Sequence, residues 1–267
     1  MPRSAFACTA LVAAATLSAC SDAGSPSSQA QVNFSVATRP AAAGSAAAIA
    51  AATVGTPETF TDASNTLVIN QVQLVLREIE LKPVEATAPC GGSESDGCEK
   101  LELGPMLLDL PLGGTGGAAR TFSVPVAAGS YDEVEFEIHK PSEGDASDAA
   151  FVQAHPDFAG VSIRVDGTFN GQAFSYTSDL NAEEEIELSP PLVTTESAAT
   201  DLTLFVDLDR WFRDGAGNLV DPATANVGLT NEVLVENNIR ATLQAFEDEN
   251  HDGTDDHGGA DDSQPHA

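Results

Sequence analysis

The chain has 267 residues, with 41 acidic against 11 basic side chains and a formal charge of −30. So acidic a surface excludes nucleic acid, whose phosphates need Lys and Arg, and excludes a polybasic contact with a membrane. Aromatic residues make up 6% of the chain, with one Trp, too few for a row of stacking platforms on a glycan.

At the start, Arg3 precedes a run of Ala, Leu and Val that ends at Leu17. That is a secretory signal with an apolar core too short to span a bilayer. Its close, Leu17-Ser18-Ala19-Cys20, resembles the lipobox of bacterial lipoproteins. The resemblance implies removal of residues 1–19, a diacylglyceryl group on the Cys20 thiol and acylation of the new amine. Several acyl chains, each contributing about 0.8 kcal/mol per buried methylene, anchor far more firmly than one. The alternative is an ordinary cleaved signal with an incidental cysteine. Ser21 follows Cys20, where an Asp would resemble an inner-membrane retention signal, so the expected address is the outer membrane of a bacterial envelope. Residues 20–30 are Ser, Gly and Ala with little to bury, a tether. No later apolar stretch reaches spanning length, so the lipid alone would hold the chain to the membrane.

Residues 31–246 form the expected domain. Residues 32–38 alternate as a half-buried strand does. Residues 40–57 are almost entirely Ala, Gly, Ser and Thr between prolines, an Ala-rich linker. Residues 67–81 are rich in Val, Ile and Leu, with the apolar phase shifting around Gln71 to Gln73, as in a long strand with one bulge. Cys90 and Cys98 bracket a Gly-rich segment, and in an oxidising compartment they are expected to pair as a disulfide that staples the loop. With no His pair nearby they make a poor zinc site.

Residues 100–112 give a short strand pair or an extended segment. The glycines of 113–117 form a turn cluster without the Lys-Ser/Thr of a phosphate loop. Residues 131–139 are the clearest strand: Val134, Phe136 and Ile138 face one way, and Glu133, Glu135, Glu137 and His139 the other. Strands at 161–169 and 172–178 flank Asn170-Gly171, a two-residue hairpin signal. Two more strands are expected at 184–188 and 202–212. Thr230 can cap an amphipathic helix over 231–246, with Val235, Ile239, Leu243 and Phe246 on one face; the competing reading makes 233–235 a strand end. The fold class is therefore mainly β, an antiparallel β-sandwich with one C-terminal amphipathic helix and disordered termini.

The step Met106 to Leu110, the turn Ala127 to Tyr131 and the late Asp-bearing strand 202–208 resemble bacterial lipoproteins that carry an uncharacterised β-sandwich domain. That domain is related in architecture to carbohydrate-binding and transthyretin-like modules. The similarity covers roughly residues 67–208, by the strand reading. The linker before Pro57 and the helix with its acidic tail depart from the pattern. The resemblance implies a fold and no chemistry.

Chemistry concentrates in the acidic tail, 247–267. Oxygens at alternate residues converge when a Gly turns the chain sharply, which is how a Ca²⁺ loop works. Asp248, Asn250 and Asp252 fill the first three ligand places, the Thr254 carbonyl the fourth, and Asp256 a direct or water-bridged place, as in the first half of an EF-hand. Gly259 stands where a bidentate Glu is usual, so weak binding of roughly 10⁻⁴ to 10⁻³ M is expected. The alternative is a solvated acidic tail.

Glu133, Glu135 and Glu137 read as a solvated strand face rather than catalytic carboxylates, and Asp207 and Asp209 likewise. His139, His155, His251, His257 and His266 show no metal spacing. Trp211 and Phe212 are expected to pack against the helix rather than meet a sugar. Three functions stay in view: a non-catalytic binding or adhesion module for a glycan or an envelope protein, a hydrolase of envelope polymers, and a structural envelope component. Replacing Cys20 by Ser is expected to release the protein from membranes and abolish labelling by a fatty-acid analogue. Unchanged membrane fractionation with no labelling of the native chain would refute the anchor.

Overall fold

The computed structural model describes residues 29–39, 56–84, 100–101, 104–113 and 116–257. Cys20, Cys90, Cys98, the signal, most of the tether and most of the Ala-rich segment lie outside them. In chain order the elements are β1 (Ala30–Ala37), β2 (Glu58–Thr61), β3 (Thr66–Pro83), β4 (Lys100–Leu101), β5 (Met106–Asp109), β6 (Ala119–Val126), β7 (Gly129–Ile138), α1 (Ala149–Ala154), β8 (Ile163–Phe169), β9 (Gln172–Ser178), β10 (Ala182–Thr194), β11 (Ala199–Val206), α2 (Leu208–Trp211), α3 (Glu232–Arg240) and β12 (Leu243–Glu247). The expected mainly β architecture is present as two sheets of mostly antiparallel strands.

The smaller sheet runs β12-β11-β1-β6, and its β1–β11 pair is parallel. The larger is built on β3, whose 18 residues would extend roughly 60 Å at 3.3 Å per residue. Leu74 pairs with Ile163 of β8 and Leu108 of β5, while Leu76 pairs with Ile138 of β7 and Met106 of β5. So β7 and β8 follow each other along one edge of β3, and β2, β5 and β4 line the other. Val75 sits at the junction: its N–H donates to the Ser162 carbonyl and its carbonyl accepts from His139 N–H. Its side chain is wholly buried with Phe151, Val152 and Phe158 in a satellite core under α1.

β3 contains two bulges rather than the single one expected. Its buried face reads Leu67 and Ile69, then Val72, Leu74 and Leu76, then Ile79 and Leu81. Each change of parity coincides with a register shift, at Ile69/Gln71 against β8 and at Arg77/Ile79 against β7. One extra residue exchanges the faces, and two extra residues restore the first phase. The second bulge carries Glu78 at φ 52, a left-handed conformation uncommon for a non-glycine residue. It leaves Arg77, Glu78, Glu80 and Lys82 off the core face.

The Asn170-Gly171 hairpin forms with both residues at positive φ, 51 and 80, as a type I′ turn requires. Within β8, Gly167 lies so close to β3 that a Cβ there would stand 2.1 Å from the Val68 carbonyl oxygen. Val134, Phe136 and Ile138 are buried as expected.

Three expectations at the C-terminal end are corrected. The strand at 202–212 stops at Val206, because Asp207 accepts the Asp209 N–H and caps α2; the apolar alternation simply runs on past the cap. The helix at 231–246 spans only Glu232–Arg240, and Asn231 rather than Thr230 is its N-cap. Thr242 ends it, its hydroxyl bonded to the Asn238 and Ile239 carbonyls and accepting from Trp211 Nε1. Leu243–Glu247 then fills the free edge of β11, where an unpaired ladder wins over a last helical turn. The acidic tail is not disordered from its start. Asp248 is fully buried, and residues 248–257 fold onto the small sheet, with Asp248 N–H donating to Asp201 and Ala118 N–H to the His251 carbonyl. Trp211 and Phe212 are buried; Asn238 of α3 donates to the Trp211 carbonyl, while the Phe212 ring stands edge-on to Phe174 and Tyr176 of β9.

Candidate functional site

The solvent face of the larger sheet carries a concave acidic groove. β7 and β10 pair so that Glu183 opposes Glu137, Glu185 opposes Glu135 and Glu187 opposes Glu133. Like charges directly opposite on adjacent strands repel, and here three such pairs follow one another. The groove has a volume of about 360 Å³ and is lined by Glu78, Glu80, Glu135, Glu137, Glu183 and Asn181, among others.

Two cations hold this face together, both delivered by the second bulge of β3. Lys82 Nζ lies 2.7 Å from Glu133, 2.6 Å from Glu135 and 3.8 Å from Glu185. These three carboxylates each place an oxygen within 4.8 Å of the others, as ligands of a metal would, but the ammonium already sits among them. Hydrogen bonds to Glu133 and Glu135 push the Lys82 ammonium well above the usual lysine range. Arg77 binds Glu137 through Nε and Nη2, each at 2.9 Å. The charge is still not cancelled. A hydrogen bond with Glu135, and then its charge, raise Glu183 above the ordinary carboxyl value, which is how a crowded pair of carboxylates avoids double ionisation.

At the groove's end His139 is nine-tenths buried between acids, with Nε2 2.9 Å from Asp148 and Nδ1 3.4 Å from Glu137. Asp148, fully buried, also accepts the Ser142 N–H. This bridge ties the end of β7 to the segment bearing α1.

The predicted calcium loop is folded, and its oxygens are partly committed. Asp248 accepts the Asp252 and Gly253 N–H groups, each at 3.0 Å, and the Thr203 hydroxyl at 3.1 Å. Asn250 accepts the Asp252 N–H, and Asp252 accepts the N–H and hydroxyl of Thr254. His251 and Gly253 take positive φ, 57 and 75, and turn the chain. Asp256 points back instead, taking the Glu249 N–H and the Asn250 amide. Asp248, Asn250 and Asp252 therefore share one turn, while Asp256 closes it. Asp248, Asp252 and Asp256 do not form a three-carboxylate cluster of ligand spacing among the described residues. Burial raises Asp248 above the ordinary aspartate value, against the hydrogen bonds that lower it.

Comparison with protein-family models, curated proteins and solved structures finds no match.

The glutamate row of β7, expected to be an ordinary solvated face, contributes Glu135 and Glu137 to the groove. The same alternation in Glu183, Glu185 and Glu187 was the available signal, but not its register against β7. Asp207, half-buried, is an α2 cap whose carboxyl is raised by desolvation. Neither three-carboxylate cluster among the described residues contains a histidine.

The shifts set a pH profile. Glu183 and Glu184 are raised above 4.5, so above that value the folded state holds protons the unfolded state has released, and stability falls as pH rises. Asp62 and Asp214, which accept backbone and Asn hydrogen bonds, are lowered; their contribution is complete above 3.8 and is lost at lower pH. Urea midpoints are therefore expected to peak on the acid side, near pH 4–5, rather than at neutrality. Lys82→Met should lower stability at neutral pH by about 1 kcal/mol, given its partial exposure, and by less near pH 4.5. An equal loss at both pH values would contradict the repulsion assigned to the groove.

Proposed function

We propose that this chain is a non-catalytic module of a bacterial envelope lipoprotein, displayed through Cys20, whose acidic groove binds a cationic partner. One observation carries the reading: three successive Glu–Glu pairs stand directly opposite across β7 and β10, and Glu135, Glu137 and Glu183 of this row line a concavity together with Glu78 and Glu80. Such an arrangement costs stability, and proteins break local rules of this kind chiefly where a site requires it. A cationic segment of an envelope protein would relieve the repulsion, whereas a neutral glycan would not. The C-terminal loop is proposed as a weak calcium position built on Asp248, Asn250 and Asp252, with the Thr254 carbonyl, that stiffens the edge of the small sheet. Asp248 Oδ1 and Asn250 Oδ1 each accept one hydrogen bond and keep a lone pair for an ion, whereas Asp248 Oδ2 and Asp252 Oδ1 each accept two.

A second reading, a hydrolase of envelope polymers, draws on the Glu135–Glu183 hydrogen bond that raises Glu183, since paired carboxyls of unequal proton affinity serve acid–base chemistry.

An oligolysine peptide is the probe. It should bind the intact protein at low ionic strength and weaken as salt rises. Glu183→Gln and Glu137→Gln, both in the groove's lining, should each reduce affinity about threefold to fivefold, while Glu196→Gln, on an exposed turn, should not. Equal binding by all variants would reduce the interaction to bulk charge and sink the groove. A hydrolase would instead lose turnover of cell-wall polymer in Glu183→Gln. For the loop, millimolar calcium should raise the melting temperature, and Asp252→Ala should diminish the rise; an identical rise in both proteins would remove calcium from the loop.

A further inference from the structure

A second cluster of acids lies away from the groove and from the C-terminal loop. Asp179 follows the last residue of β9, Glu232 opens α3, and Glu236 sits one turn later on the same helix face. One carboxylate oxygen from each lies within 4.8 Å of the other two. Two oxygens on one Ca²⁺, each at 2.3–2.6 Å, stand at most about 4.6–5.2 Å apart, so this spacing allows the three carboxylates to share one such ion.

The charge is unbalanced in the same direction. Glu232 and Glu236 repel at i,i+4 spacing, and Asp179 adds a third negative charge. Lys140 Nζ, 3.1 Å from Asp179, supplies one positive charge; among the described residues no other Lys or Arg forms an ion pair with the three. Two negative charges are left over, the complement of a dication. The contrast with the groove is direct, because there the Lys82 ammonium stands among the carboxylates at 2.6–2.7 Å. Here the side chains are held in place from outside: Gly228 N–H donates to Glu232 at 2.7 Å, and the Ser178 hydroxyl donates to Glu236 at 2.6 Å. Each leaves one carboxylate oxygen uncommitted.

An independent observation concerns Tyr176. Its side chain is completely buried, and its hydroxyl has no hydrogen-bond partner of normal geometry. The neighbouring Ser178 hydroxyl gives its proton to Glu236 and accepts the Leu180 N–H, so it has no proton to offer the phenol, whose pKa it lies close enough to lower. Tyr176 and Ser178 share the buried face of β9, and the Ser178 hydroxyl reaches Glu236, which puts the phenol on the cluster's side of the strand; burial, then the charges of Glu236, Glu232 and Asp179, raise it. A buried hydroxyl without a partner is unfavourable. A cation or its bound water would satisfy it.

We propose that Asp179, Glu232 and Glu236 form a divalent-cation site of the calcium class, with the Tyr176 hydroxyl at its inner wall, that pins the first turn of α3 to the end of β9. The site is separate from the loop 248–256 and from the groove, and it stands or falls without them.

Terbium(III), a calcium surrogate whose emission is sensitised by a nearby phenol, tests it on the intact chain. The chain has two Tyr and one Trp, and the other tyrosine, Tyr131, donates its hydroxyl to the Ala127 carbonyl. Excitation of tyrosine should give terbium emission that calcium displaces and potassium does not. Glu232→Gln and Glu236→Gln should each weaken terbium binding at least tenfold, with the intrinsic emission of buried Trp211 confirming that the fold is kept. Tyr176→Phe should remove most of the sensitised emission. Asp252→Ala and Glu187→Gln should leave the signal unchanged. No sensitised emission from the native chain, undiminished affinity in both glutamine variants, or loss of the signal in Asp252→Ala would each overturn the site.

Discussion

The larger sheet depends on one strand keeping its apolar face inward across two interruptions. β3 is long enough for β8 and β7 to pair end to end along one edge, which no strand of ordinary length permits. Without its bulges, one half of its Leu, Ile and Val residues would face water. The same interruptions set the outer face. The second bulge leaves Arg77 against Glu137 and Lys82 against Glu133 and Glu135, so core register and groove chemistry share a cause. Glu78 bears the strain at positive φ, at the groove's wall.

With 41 acids and 11 basic residues, ion pairing alone cannot neutralise the surface. The structure handles carboxylates in three ways. Asp62, Asp145 and Asp214 cap turns and are held below their ordinary range by hydrogen bonds. Glu133, Glu135 and Glu137 take the few available cations. Glu183, Glu184, Glu247 and Asp248 are raised by crowding or burial, and these are the positions where added positive charge would relieve most. The groove, the end of the small sheet and the α3–β9 joint are thus related sites in one respect: each concentrates acids beyond what the protein's own cations offset.

Short-range signals in the sequence carried through to the structure, and pairings did not. The alternation of 131–139, the Asn170-Gly171 turn and the apolar run of β3 were legible because each depends on neighbours within a few residues. The parity change at Glu78 lies in Leu76-Arg77-Glu78-Ile79, two polar residues between apolar ones, a pattern less marked than the phase shift at Gln71 to Gln73 from which one bulge is expected. At the other end, helical periodicity through Phe246 and strand alternation in Leu243–Glu247 coexist in one segment, and the open edge of β11 decided between them. The groove was hidden for the same reason: Glu137 and Glu183 become neighbours only through a register set by β3, and no local pattern encodes that. Glu232 and Glu236 were legible as an i,i+4 pair; Asp179 was not.

The short helix α3 draws these threads together. Its Asn238 amide donates to the carbonyls of Trp211 and Arg213, its buried Val235 and Ile239 join the main core, and Arg240 at its end binds Glu184 of β10. Nine residues amount to roughly 13 Å, so one rigid rod connects the β9 acid cluster at its start to the β10 strand of the groove at its end. A helix of this length is marginal in isolation, and its N-terminal half carries two repelling glutamates, Glu232 in the first turn and Glu236 one turn later. Its position is therefore imposed by what it touches: apolar packing fixes the middle, a carboxylate fixes the cationic end, and the anionic end lacks an equal partner among the described side chains. That asymmetry makes the start of α3, rather than its middle or its end, the part of the helix most dependent on ions in the surrounding medium.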